Sequence, residues 1–251
     1  LEVKGRVVAA AKNTGHGKLL YNAALGDKAY ATNTNDPAVY VIDMANRKVT
    51  ASIDLCEGKG GTHGKAFSAL SKHAYFECGA IGKTAVVDTT TDKLVGYLDG
   101  SGQIFGSPDE KYALIIDKKN GALNVIDPSK GSTITTKIPV PGGPDQLFYH
   151  ATKDGKMLAF TANTQTPDTA VVDMATLSVV TRAVASDTKR PEGADSVHRS
   201  GAAGGGYFAT PSSAEGLLSL ISVESLTRTA SVPLPDASGV YFVGVHHDHD
   251  H

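Results

Sequence analysis

Five copies of one strand pattern run through this 251-residue chain. Each copy has an apolar strand, a short polar loop, a second apolar strand closing on Asp or Ser, and a third β-rich strand. The first reads Ala29-Tyr30-Ala31-Thr32-Asn33, then Val39-Tyr40-Val41-Ile42-Asp43, then residues 48–53. The pattern returns at 74–78, 84–88 and 93–98, at 112–116, 122–127 and 132–140, at 157–161, 169–173 and 177–184, and at 206–210, 217–222 and 226–234. The residues that close the middle strand are Asp43, Asp88, Asp127, Asp173 and Ser222, spaced 45, 39, 46 and 49 apart. A strand-rich period of roughly 40–45 residues marks propeller blades: one small sheet cannot bury its own faces and must stack on the next.

A further strand is expected before each copy, at 16–24, 63–69, 102–107, 145–151 and 195–200, which makes four strands per unit. A sixth innermost strand is expected at 238–242 and an outermost one over 2–10, so five repeats are complete and a partial blade remains. The fold expected is all-β, a β-propeller of four-stranded antiparallel blades, with 1–251 as a single domain. Membership of a larger ring is preferred to closure around an imperfect blade, because unpaired sheet edges are a liability. The Val-Ile-Asp carboxylates are expected to hold turns by accepting nearby backbone N–H groups. Residues 201–206, rich in Gly, are expected to form a flexible turn.

These repeats resemble the YVTN family of β-propellers, on Ala29-Tyr30-Ala31-Thr32-Asn33 followed by Val41-Ile42-Asp43 and on the weaker copies. That likeness implies the fold and leaves the chemistry open, since propellers host many activities.

Composition removes several classes. Hydrophobic residues are 41% and charged residues 20%, with a net charge of −2, which excludes a disordered tail, a collagen and a coiled coil. No Lys/Arg-rich run points to nucleic acid. No apolar stretch reaches the ~18 residues of a membrane span, so no membrane insertion is expected, and a monomer is. The opening Leu1-Glu2-Val3-Lys4-Gly5 reads as strand rather than leader, as in a cytosolic protein or a mature exported chain. Cys56 and Cys78 are the two cysteines. An even count favours a disulfide and an oxidising compartment such as the periplasm; two buried thiols or soft metal ligands are the alternatives.

Histidine carries the chemical signal. Residues His246-His247-Asp248-His249-Asp250-His251 form a flexible chelating segment suited to zinc, with copper or nickel as further options. A tag or a solvated loop would read similarly. His16 and His63 stand in matching text, Gly15-His16-Gly17-Lys18 and Thr62-His63-Gly64-Lys65, ahead of the innermost strands of adjacent units. Equivalent repeat positions share a height on the propeller axis, so both rings are expected to face the channel side by side. Later units offer Ser101, Gly102 and Gln103, then Asp145 and Gln146, then Asp195 with His198 nearby. Two His and a carboxylate have the ligand count of a zinc site with an open position, and Asp195 and His198 are the next candidate ligands. The competing reading is loop histidines bonded to backbone. His73 and His150 read as turn or surface residues. No nucleophile elbow, phosphate loop, dinucleotide fingerprint or isolated carboxylate pair is present, which ranks a carrier above an enzyme.

The combination of His16, His63 and the 246–251 segment resembles the AztD family of periplasmic zinc metallochaperones. The resemblance implies capture of zinc by the His-rich segment, holding in a channel site, and transfer to the solute-binding protein of a zinc ABC transporter. The alternatives are a metal-dependent propeller enzyme of the lactonase, hydrolase or oxidase type, and a protein-binding scaffold.

Overall fold

Strand follows strand with tight turns between, and each group of four closes into its own sheet. The computed structural model describes residues 15–187, 200–212, 214–235 and 240. The first sheet is β1 (Leu19–Leu20), β2 (Lys28–Ala31), β3 (Ala38–Asp43) and β4 (Lys48–Asp54). The second is β5 (Thr62–Ser68), β6 (His73–Cys78), β7 (Lys83–Asp88) and β8 (Lys93–Asp99). The third is β9 (Ile104–Gly106), β10 (Ala113–Asp117), β11 (Ala122–Asp127) and β12 (Thr133–Pro139). The fourth is β13 (Pro144–Ala151), β14 (Met157–Asn163), β15 (Asp168–Asp173) and β16 (Ser178–Val184). The fifth is β17 (Ala202–Gly204), β18 (Tyr207–Ser212), β19 (Leu217–Ser222) and β20 (Arg228–Pro233). Every sheet is an up-and-down meander in chain order. These are the four-stranded blades of a β-propeller, and the chain is all-β.

The contacts define two compact units, Leu1–Asp117 with Leu123–Lys137, and Lys118–Ala122 with Ile138–His251. In the first unit one apolar core joins Tyr30, Val39 and Val41 of the first blade to Phe76, Ala85 and Val87 of the second. Another joins Tyr75 and Val86 to Ile104, Ile115 and Ile126 of the third. In the second unit Phe160 and Val171 pack on Phe208 and Ile221, with the Phe160 and Phe208 rings 5.2 Å apart. Middle strands are covered on both faces and read as continuous apolar runs, whereas β4 and β8 alternate between exposed and half-buried residues.

One turn is repeated in all five blades. A non-glycine residue just ahead of the fourth strand adopts positive φ: Arg47, Asp92, Ser132 and Leu177 directly before it and Leu226 two residues before it, with φ between 51° and 58°. In the first four blades the aspartate that closes the third strand sets up this turn, and in the fifth Ser222 does, accepting the Glu224 and Ser225 N–H groups at 3.2 Å. Asp43 accepts the Asn46 N–H at 2.8 Å, Asp88 that of Thr90 at 2.7 Å, Asp127 that of Ser129 at 2.9 Å and Asp173 that of Ala175 at 2.8 Å. In the first unit the same turn is also a latch between blades. Buried Tyr30 donates its hydroxyl to Asp92, and the Tyr75 hydroxyl lies 2.8 Å from Ser132 Oγ. Burial and the Asp92 bond raise the Tyr30 phenol pKa.

The disulfide Cys56–Cys78 is formed, with Cα atoms 5.3 Å apart. It ties Cys56, two residues past β4, to the end of β6, and so joins two blades. Two strand expectations need correction. The strand expected over 16–24 shrinks to Leu19–Leu20, because the Asn22 side chain accepts the Ala24 N–H and starts a 3-10 turn at Ala23–Leu25. The turn expected over 201–206 contains strand β17, paired Ala202 to Ala209 and Ala203 to Phe208. A Cβ on Gly201 would meet the Phe208 ring at 2.4 Å, so small residues there let a strand lie over that ring. Residues 2–10, 195–199 and most of 238–242 fall outside the described residues.

Two outcomes follow for stability. Replacing Cys56 and Cys78 together by alanine is expected to cost about 3 kcal/mol in urea unfolding, the loop-entropy value for a bridge of this separation. The turn carboxylates set the acid limit. The hydroxyl and N–H of Thr90 bring Asp88 down to about 2, and Asn46 and Ser129 lower Asp43 and Asp127. Unfolding returns these groups to about 3.9. Their contribution is therefore whole above about pH 4 and is lost as pH falls toward 2. Denaturant midpoints at pH 7, 4 and 2.5 check this; a flat profile would refute it.

Candidate functional site

The backbone of the first two blades is stitched together beside both histidines. Thr62 N–H donates to Asn33 O at 2.8 Å, and Asn33 N–H donates to Thr62 Oγ1 at 3.0 Å. His63 follows Thr62 in β5. His16 lies before β1 and its carbonyl accepts the Thr34 N–H at 3.0 Å. The result is a direct ring contact: His16 Nε2 and His63 Nε2 are 2.8 Å apart, with ring centroids at 4.6 Å and planes inclined 73°.

Three polar side chains surround the pair. Glu77, from β6, places Oε2 3.8 Å from His63 Nδ1 and accepts the Gly64 N–H at 2.9 Å with the same oxygen. Lys18 Nζ donates to Gln103 Oε1 at 2.7 Å. Burial, then the Lys18 ammonium and the His16 ring, hold the His63 pKa down at about 4, so this imidazole is neutral at neutral pH. Burial also lowers Lys65. Neutral imidazole nitrogen is the form that binds transition metals.

The His-Gly text has a steric reason. A Cβ on Gly64 would stand 2.6 Å from Gly102 O, 2.8 Å from Gln103 Cα and 2.9 Å from Glu77 Oε2; one on Gly17 would stand 1.8 Å from Thr32 O. Only glycine lets the histidine loops press this closely on neighbouring backbone. Gly64→Ala is therefore expected to destabilise the fold by about 1–3 kcal/mol through overpacking. Unfolding in urea measures it, and a neutral result would mean that β5 and β9 can part freely.

The remaining sequence candidates are distributed as follows. Asp195, His198, His246, His247, His249 and His251 lie outside the described residues. Asp145 sits in the second unit, where Lys118 Nζ binds it at 2.8 Å. His73 Nδ1 is 2.7 Å from Ser132 Oγ, and His150 contacts Ala151 O and accepts the Gly206 N–H at 3.2 Å, so both are tied into turns. Among the described residues no group of three or more His, Cys, Asp or Glu is gathered to hold a metal. The described site is an imidazole pair backed by a carboxylate. Glu77 is the residue that sequence reasoning missed. Its signal was a charge in Tyr75-Phe76-Glu77-Cys78 where the first copy has Thr32.

Neither a protein-family model nor a curated protein sequence matches the chain. Solved structures do match. Two structures of AztD from Citrobacter koseri, one of them the apo form, align with TM-scores of 0.62 and 0.63 at 14% and 13% identity, over 91% and 90% of this chain and 61% of theirs. The likeness is one of fold. Hydrazine synthase of Kuenenia stuttgartiensis aligns at TM-score 0.55 and 14% identity over 87% of each chain. The dihydro-haem d1 dehydrogenase NirN aligns at TM-score 0.53 and 16% identity, over 89% of this chain and 57% of its own. This chain thus spans about three fifths of the length of AztD and NirN. Propellers this similar serve different chemistries, so function has to be argued from the side chains.

Proposed function

We propose that this propeller is a metal carrier whose cargo is zinc, taken between His16 and His63. The observation that carries the reading is the 2.8 Å separation of the two Nε2 atoms. Two zinc-bound nitrogens at about 2.05 Å in tetrahedral geometry stand roughly 3.4 Å apart, so the pair needs to open by only about half an ångström. Imidazole suits zinc, and copper or nickel share that preference. Asp195 or His198 is proposed as the further ligand, and the His246–His251 segment as a collector that feeds the site. The AztD likeness supports transfer to a periplasmic solute-binding protein of a zinc ABC transporter as the purpose. The Cys56–Cys78 bond is compatible with export, and no helix among the described residues is long and apolar enough to cross a membrane.

Elemental mass spectrometry and competition with a chelator of known affinity test this. One tight zinc equivalent is expected in the full chain. His16→Ala with His63→Ala is expected to remove it while leaving the melting temperature nearly unchanged. A tight equivalent that survives in the double variant would overturn the site. Deleting residues 246–251 is expected to slow loading more than it weakens retention; unchanged loading kinetics would remove the collector role.

A further inference from the structure

We infer that Glu77 is a positioning residue that makes the two histidines unequal: His63 is the ready ligand and His16 the one that must rearrange. For metal binding the inference rests on the proposed function; for the free protein it stands on the geometry alone.

The carboxylate is fixed before any cargo arrives. Oε2 accepts the Gly64 N–H at 2.9 Å, and the same oxygen faces His63 Nδ1 at 3.8 Å. The Glu77 and His63 side chains are 20% and 24% exposed, so solvent screens the interaction only in part. A neutral imidazole carries one N–H, on either Nδ1 or Nε2. At 3.8 Å the carboxylate is beyond hydrogen-bond reach, but its charge on the Nδ1 side favours the hydrogen there, and an approach of under about 1 Å would complete the bond that second-shell carboxylates make to metal-ligating histidines. His63 Nε2 is then a bare lone pair.

That assignment fixes its neighbour. Two ring nitrogens 2.8 Å apart need one hydrogen between them. With His63 Nε2 bare, the hydrogen belongs to His16 Nε2, which donates. Before both Nε2 lone pairs can face one metal ion, the His16 hydrogen must leave. Nε2–H gives its proton to water and Nδ1 takes one from water: one N–H bond breaks, one forms, and the ring's charge is unchanged. His16 is exposed, so water can carry that exchange.

The first blade lacks the equivalent control. Thr32 stands where the second blade has Glu77, and its hydroxyl accepts the Lys18 N–H at 2.8 Å. Among the described residues no carboxylate contact to the His16 ring is found. The order of engagement that follows is His63 first and His16 second.

Long-range 15N–1H NMR of the 15N-histidine-labelled protein, free of metal, reads the tautomers directly. The wild type is expected to show His63 with hydrogen on Nδ1 and His16 with hydrogen on Nε2. Glu77→Ala is expected to move His63 toward the Nε2–H form, and Glu77→Asp to restore part of the wild-type population. Melting temperature and near-UV circular dichroism establish that each variant is folded. In zinc competition, Glu77→Ala is expected to lose about 10- to 100-fold in affinity, the range measured for such partners. Hydrogen on His63 Nε2 in the wild type would overturn the inference. So would a folded Glu77→Ala protein with unchanged tautomers and unchanged affinity, if the double histidine variant abolishes binding. Tight zinc that survives the double histidine variant would instead remove the functional reading, and the metal-free tautomers would still decide the role of Glu77.

Discussion

The stitch between Asn33 and Thr62 is the interaction on which the site depends. Both residues are buried, at 7% and 0% exposure, so an unmet backbone group there would cost on the order of 1–3 kcal/mol. They satisfy each other across the boundary between two sheets. Each histidine then hangs one short step from the stitch: His63 is the next residue after Thr62, and His16 is bonded through its carbonyl to Thr34, the residue after Asn33. The disulfide reinforces the same point. Cys78 is the strand partner of Thr62, and Cys56 holds Cys78 from the first blade. Two imidazoles brought together this way are placed by backbone and covalent bonds rather than by their own attraction, the support that a preformed ligand pair needs.

The rest of the first unit works to keep those sheets in register. Each blade is too thin to bury its own faces, and the apolar clusters between neighbouring blades supply most of the cohesion. Apolar packing alone does not fix the angle between sheets. The turns with positive φ add that definition. A non-glycine residue in this conformation carries a local cost, which the aspartate bonds within the turn offset. In return the turn presents a side chain, Asp92 or Ser132, at the point where a buried tyrosine of the preceding blade arrives. The tyrosine would otherwise bury an unmatched hydroxyl, so turn and core specify each other.

Much of this was legible in the repeats. The period gave the blades, the Val-Ile-Asp text gave the turns, and the even cysteine count pointed to the bridge. What the repeats could not show was local exception. Asn22 cuts the first innermost strand short by capping a turn, and no periodicity announces a cap of that kind. Residues 201–206 looked like loop because glycine usually punctuates chains, whereas here small residues let a strand cross the Phe208 ring. For the site, matching text at His16 and His63 put both at one level, but the 2.8 Å contact depends on the stitch and on glycine at 17 and 64. Glu77 escaped because it sits inside an apolar strand, where a charge reads as exposed until its partners are known. His63 and the Gly64 N–H lie on the paired strand β5, inside the register shift between Thr62 and Lys65, and a shift of that kind is not announced by the repeat.

Duplication explains the pair, and divergence gives it direction. Copying one Gly-His-Gly-Lys loop into a neighbouring His-Gly-Lys loop would produce two equivalent imidazoles facing each other, sharing a hydrogen with no preference between them. The difference between Thr32 and Glu77 breaks that symmetry. The hydroxyl is consumed by backbone, while the carboxylate reaches the far side of one ring. One ring, His63, is half-buried beside a carboxylate; the other, His16, is exposed to water, so the two halves of the pair are chemically unequal.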